Sequence, residues 1–219
     1  MKIGETFSYS SLKKKRVVDK DGVTVGKNLI DVVFSPDLGE ITHFVVGGGF
    51  LEELLEDIKI KKDLDPVFSI ENVDGVYEKE VKLSVNKQSL KSVIEGGIPE
   101  GHYCINDLSK MDVVGSKGSV IGNIIDVAFF DDGSLSFIIG GSAIEELLEK
   151  MKVLPDVDLL LPSKNITSIK DGKIFLDLTR EMLKTTLKDN VKKDKPLKKA
   201  NYQDFSSSVA LVSRQSYLR

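Results

Sequence analysis

"VVGGGFLEELLED" (residues 45–57) and "IIGGSAIEELLEK" (residues 138–150) are nearly the same phrase written twice, with Gly47 and Gly140 separated by 140 − 47 = 93 residues. Each copy runs from a β-branched stretch through a glycine break to apolar residues at helical spacing among glutamates, the pattern of a strand, a turn and a short amphipathic helix. The match extends upstream. "SLKKKRVVDKDGVTVGKNLIDVVF" (residues 11–34) overlies "DLSKMDVVGSKGSVIGNIIDVAF" (residues 107–129), pairing Gly22 and Gly26 with Gly118 and Gly122 at an offset of 96, and Asp31 and Phe34 with Asp126 and Phe129 at 95. Downstream, "VKLSVNKQSLKS" (residues 81–92) overlies "IFLDLTREMLKT" (residues 174–185) at 93. Solenoid repeats run about 20–50 residues, so this longer period marks a duplicated domain.

The repeat divides the chain into a first unit at residues 1–97, a linker at 98–102, a second unit at 103–189 and a C-terminal tail at 190–219. Each unit reads as short strands with tight turns. "VVDKDGVTVGKNLIDVVF" is strand, turn and strand around Asp21-Gly22, and Asp171-Gly172 marks a later hairpin. Residues 179–189 form a closing helix, with Thr179 as cap and Glu181 in the first turn. Five or six short strands and little helix predict a mainly β fold of two tandem small barrels, each with a short helix. The composition agrees: 41% of residues are apolar but only 7% aromatic, with no Trp, so the cores rest on Val, Ile and Leu.

With that pattern in place, "GSVIGNIIDVAFFDDGSLSFIIGG" and "DLLLPSKNITSIKDGKIFLDL" resemble the PRC-barrel domain. The family's pattern is G-x-x-(I/V)-G-x-(I/V)-x-D, then apolar strands, a Pro, an "xxIxxI" stretch and a final strand. Gly118, Gly122, Asp126, Pro162, Ile166, Ile169 and Gly172 stand at matching positions of the second unit, and Gly22, Gly26 and Asp31 at those of the first. The first unit diverges: Pro66 precedes its strand, and pairing Gly75 with Gly172 implies about four extra residues before Val81. The resemblance implies an assembly module and no enzyme. Known contexts are the photosynthetic reaction-centre H subunit, a ribosome-maturation factor, sporulation-linked proteins and archaeal cell-division proteins that act with SepF. Tandem barrels are most similar to the last group. The reading is therefore a scaffold or adaptor at the division site, binding SepF or a paralogous PRC-barrel protein and forming homo- or hetero-oligomers. The alternative is an RNA-processing or ribosome-assembly factor that binds a ribosomal protein.

Catalytic and ligand sites are weak by comparison. Gly47-Gly48-Gly49 lacks the spacing of a phosphate-binding loop. Adjacent helix residues point about a hundred degrees apart, so Glu52-Glu53 and Glu145-Glu146 read as solvated helix faces. His43, His102 and Cys104 are too few and too scattered for a zinc set, and no cofactor or metal is expected. Asp31 and Asp126, at the same place in both units, read as turn-stabilising hydrogen-bond acceptors. The basic runs "LKKKR" (residues 12–16) and "KKDKPLKK" (residues 192–199) lack interleaved aromatics, so no nucleic-acid contact is expected. The candidate partner interface is instead the apolar face of the repeated helix, Phe50, Leu51 and Leu54 with Ile144 and Leu147, together with Val209 and Leu211 of an otherwise flexible tail.

The net charge is −3, one cysteine cannot form an internal disulfide, and no apolar run reaches the about 20 residues that span a bilayer. A cytoplasmic location, near the membrane through a partner, is the expectation.

Overall fold

A computed structural model describes residues 2–3, 7–47, 66–150, 157–192 and 208–213. Strand β1 is Lys2–Ile3, β2 Phe7–Ser8, β3 Arg16–Val18, β4 Thr24–Gly26, β5 Asn28–Phe34, β6 Ile41–Gly47, β7 Pro66–Ser69, β8 Val73–Val76, β9 Glu80–Leu83 and β10 Ile94–Gly96. Helix α1 is Tyr9–Leu12. The second unit opens with β11 (Tyr103–Cys104), helix α2 (Ile105–Leu108), β12 (Asp112–Val114), β13 (Val120–Phe129) and β14 (Leu135–Gly140). It continues with α3 (Ser142–Lys150), β15 (Val157–Pro162), β16 (Ile166–Lys170), β17 (Lys173–Leu176), α4 (Arg180–Lys192) and β18 (Ala210–Ser213). The fold is mainly β.

The first unit holds two sheets, ordered β1-β8-β9-β3-β4 and β10-β7-β6-β5-β11, and the second holds one, ordered β16-β17-β12-β13-β14-β15-β18 with β2 beside β13. Long β13 does alone what β4 and β5 do together. Elsewhere the registers repeat: β3 runs parallel to β9 with Arg16 opposite Glu80, and β12 runs parallel to β17 with Asp112 opposite Lys173. The hairpin β8–β9 pairs Val73 with Leu83 and Val76 with Val81, while β16–β17 pairs Ile166 with Leu176 and Ile169 with Ile174. All four pairs keep an offset of 93, so Gly75 corresponds to Ser168 and the extra residues expected before Val81 do not exist. Gly172 stands in the β16–β17 turn, where the first unit has Lys79, and is not the counterpart of Gly75 within β8. Pro162 ends β15 and leads into a 3-10 turn, the place Ser69 takes in the first unit, where its hydroxyl accepts from Glu71 N–H at 3.3 Å.

The opening strands are exchanged. β2, at the start of the first unit, pairs with β13 of the second through Ser8–Ala128 and Phe7–Phe129; β11 pairs with β5 of the first through Cys104–Val33 and Tyr103–Phe34. One continuous apolar core results, running from Phe7 and Phe34 through Phe129 and Leu176 to Leu187 and Val209. Because β5, β13 and β14 also carry apolar residues on their outer face, smaller clusters form there: Val33, Val45 and Val67 in the first unit, and Ala128, Phe130, Ile138 and Leu160 with Ala210 and Val212 in the second.

The repeated glycines answer to matching bulges. Between Leu29 and Asp31, and between Ile124 and Asp126, the ladder slips by one residue, leaving Ile30 and Ile125 as the extra residues. Each isoleucine lies on the glycine opposite: a Cβ on Gly47 would stand 2.2 Å from Ile30 Cδ1, and one on Gly140 2.8 Å from Ile125 Cδ1. Gly22 and Gly118 sit at φ of 85° and 82° in the matching hairpins, a backbone that glycine adopts without strain.

The helix after the second glycine pair, α3, buries Ile144 and Leu147 to 0% and 1% exposure in the shared core. This corrects their assignment to a partner interface: helical spacing shows which face is apolar, and here the chain's own β13, β14 and β15 cover that face. Phe50, Leu51 and Leu54 lie outside the described residues. The tail is corrected too. Residues 210–213 form an antiparallel strand on β15, with Leu211 opposite Leu159, and Val209 is buried, because a strand edge and apolar surface on both faces await them. The closing helix starts where expected, Thr179 Oγ1 accepting from Met182 N–H at 3.0 Å.

Candidate functional site

The two exchanged strand–helix openings meet their hosts at Asp31 and Asp126, two buried carboxylates at equivalent places in the two units. Both aspartates follow the bulges and are 3% and 1% exposed. Asp31 Oδ1 accepts from Val32 N–H at 2.7 Å and Ile105 N–H at 3.1 Å, and its Oδ2 accepts from Asn106 N–H at 3.2 Å. Asp126 Oδ1 accepts from Val127 N–H at 2.7 Å and Ser10 N–H at 3.2 Å. Each therefore steadies its own bulge, and each also caps the first turn of the helix donated by the other unit. The motif aspartate is more than the local turn acceptor that its position in the sequence implied.

The two caps differ. Ser8 caps α1 from within, sharing a reciprocal capping box with Ser11, so Asp126 takes one further N–H. Cys104, at the equivalent place before α2, makes no side-chain cap, and Asp31 takes two helix N–H groups. Asp126 Oδ2 has no hydrogen-bond partner among the described residues. Burial pushes the Asp126 carboxyl above its ordinary range, against hydrogen bonds from Ser10, Val127 and Tyr9 that favour the ionised form. Tyr9 donates its hydroxyl to Ile30 O at 2.9 Å; burial first and Asp31 second hold the phenol protonated. Burial, with help from Asp107 and Asp31, pushes the Cys104 thiol up to about 12. Such a thiol is not a thiolate nucleophile at neutral pH. It donates to Asp107 Oδ2 at 3.1 Å and does not engage His102.

The remaining candidates have local partners. His102 meets His43 edge to face, ring centroids 5.9 Å apart, and His43 Nε2 lies 3.7 Å from Glu95 Oε2. Glu146 reaches back to Lys150 on its own helix and lies 3.5 Å from Arg180 of α4, which ties two helices together. Among the described residues no three His, Cys, Asp or Glu side chains are grouped so that they could hold a metal ion. In the run at residues 12–16, Lys15 is buried and donates to the carbonyls of Tyr77 and Glu78 at 2.8 and 2.7 Å. Arg16 pairs with Glu80 at 2.9 Å, and Lys13 lies over the Tyr9 ring. A long-range signal for the seam did exist in the sequence, since Asp31 and Asp126 recur with their bulges, but nothing local to either names the helix it caps.

Small sheets joined by tight hairpins, with a glycine-bounded bulge and a buried aspartate, define a mainly β class of protein. Comparison with protein families finds a PRC-barrel domain at residues 4–74, from the exchanged strand to β8. The matched stretch lies within the first unit, the one read from the sequence as the more divergent. A PRC-barrel domain points to a protein-interaction module. No curated protein matched the chain. Among the described residues no helix is long and apolar enough to cross a membrane.

Proposed function

We propose that the chain is a non-enzymatic scaffold of archaeal cell division, whose second unit is also a PRC barrel. It binds protein partners, SepF or a paralogous PRC-barrel protein, on the cytoplasmic side of the division site and assembles with further copies through its barrels. One observation carries the reading: two units of matching register, one of them containing an interaction module, are locked together by reciprocal strand exchange through a shared core. A body built this way presents two similar surfaces at a fixed relation, which suits it to bridging copies of a partner. The polar seam supports the same reading, because Asp31 and Asp126 each accept from the helix donated by the other unit and the one thiol there stays protonated.

Light scattering of the purified chain, alone and with SepF, tests this. A stable complex whose mass holds both proteins is expected. A chain that stays monomeric and ignores SepF overturns the reading, and salt-dependent co-sedimentation with ribosomal subunits would then favour a ribosome-assembly role.

A further inference from the structure

We propose that β18 is an exchangeable strand, and that the slot it fills beside β15 accepts the same segment from a second copy of this chain. The slot is specific in both its edge and its faces. β15 pairs with β14 on one side and offers its other edge to β18, in the register Val157–Ser213, Asp158–Val212, Leu159–Leu211 and Leu160–Ala210. Val209 and Leu211 pack on the shared core, while Ala210 and Val212 join Ala128, Phe130, Ile138 and Leu160 on the outer face. Such a slot takes a short extended segment with small or branched apolar residues at its first three positions, through main-chain pairing and alternating side-chain contacts.

The first unit shows what is unusual about this occupant. There the same edge, on β7, is filled by β10, with Ile94 opposite Phe68. β10 follows its preceding 3-10 helix, Lys87–Ser92, after one residue. β18 begins only after residues 193–209, and 209 − 192 = 17 residues separate it from the end of α4. Fully extended, that length of chain reaches about 55 Å, the scale of a neighbouring molecule. The connecting sequence, "KDKPLKKANYQDFSSSV", is rich in lysine and serine. When two copies exchange β18 reciprocally, every pairing and contact of the slot is made again, so the cost is mainly that of bringing two chains together, which rising concentration offsets. The chain already practises the same exchange internally, where β2 and β11 cross between its units. The inference goes beyond the scaffold reading, and because it involves no other protein, its test and that of SepF binding fail separately.

The experiment mixes two variants in a Cys104→Ser background, serine being the residue at the equivalent Ser8. One copy carries Val157→Cys and an affinity tag, the other Ser213→Cys; these positions face each other in the ladder, within reach of a disulfide. After incubation at rising concentration and mild oxidation, a tagged–untagged disulfide dimer is expected on non-reducing gels. It should grow with concentration and be lost when the second copy also carries Ala210→Asp, which puts a charge among the apolar side chains of the slot. The single-chain Val157→Cys/Ser213→Cys variant should close internally at low concentration, which reports the register. Internal closure at every concentration with no cross-chain product overturns the exchange. Failure to close internally overturns the slot itself.

Discussion

Phe34 and Phe129, which occupy the same position in the two units, stack on each other with ring centroids 6.5 Å apart and planes 4° from parallel. Phe7 packs on Phe129 at 5.0 Å and Phe137 on Phe34 at 5.7 Å, and all four are buried. A residue that meets its own counterpart is the mark of an isologous contact, the kind found on the axis of a symmetric dimer. Here both halves lie on one chain.

Phe129→Ala should therefore destabilise the whole molecule and not one unit, by about 3–5 kcal/mol, as for other buried phenylalanines. Urea denaturation followed by circular dichroism and by Tyr fluorescence should give coincident single transitions in the parent chain, because the core is continuous. A double-mutant cycle with Phe34→Ala should yield a coupling of about 0.5–1.5 kcal/mol. Two separate transitions in the parent chain would contradict the shared core.

Asp31 should matter more than Asp126. Removing the Asp31 carboxylate strands the N–H groups of Ile105 and Asn106 at a helix start that has no other side-chain cap, and Asp31→Ala should cost about 2–3 kcal/mol. Asp126→Ala removes the acceptor of Val127 N–H at its own bulge, as Asp31→Ala does for Val32, but in the donated helix it strands Ser10 N–H and loses the Tyr9 contact while leaving the Ser8 capping box in place, and it relieves a carboxyl whose charge is disfavoured by burial, so about 1 kcal/mol is expected. Equal or reversed losses in denaturation midpoints would refute the asymmetry.

How far the sequence revealed this arrangement depends on the range of each interaction. The hairpins at Asp21-Gly22 and Asp171-Gly172, the cap at Thr179 and the amphipathic helix at residues 142–150 are set by neighbours a few residues away, and the pattern of residues exposes them. The exchange of β2 and β11 is not exposed. Phe7 presents the same local pattern whether its strand closes its own barrel or the other one, and its partner Phe129 lies more than a hundred residues away. The same limit hid the covering of Ile144 and Leu147. It also hid which edge β18 joins, since four apolar residues in a serine-rich tail suit the addition of a strand but carry no record of the edge that receives them.

Acidification should weaken the fold through His43. Its imidazole is shielded by burial and repelled by His102, with Glu95 opposing, so its pKa is lowered in the folded chain. The unfolded chain then takes up the proton first, at about pH 6.5, and the stability linked to this group is complete above that value and declines as the pH falls through it. Compared with the parent, His43→Gln should show a shallower loss of denaturation midpoint between pH 7.5 and 5.5. Parallel profiles would show that His43 does not set the slope.

The two matching glycines of the second unit should differ sharply in what they tolerate. A Cβ on Gly122 would stand 2.2 Å from the backbone oxygen of Gly140, which cannot retreat without breaking the β13–β14 ladder, whereas a Cβ on Gly140 meets the side chain of Ile125 at 2.8 Å. Ile125 is 45% exposed and has room to turn away. Gly122→Ala should therefore cost about 3 kcal/mol or more and Gly140→Ala about 1 kcal/mol, within the range for overpacked sites. Ile125→Ala should recover most of the loss in Gly140→Ala and none of that in Gly122→Ala. Thermal denaturation of the five chains decides it: rescue of Gly122→Ala by Ile125→Ala would mean that the side chain, and not the backbone of the repeated glycine phrase, limits the space at this bulge.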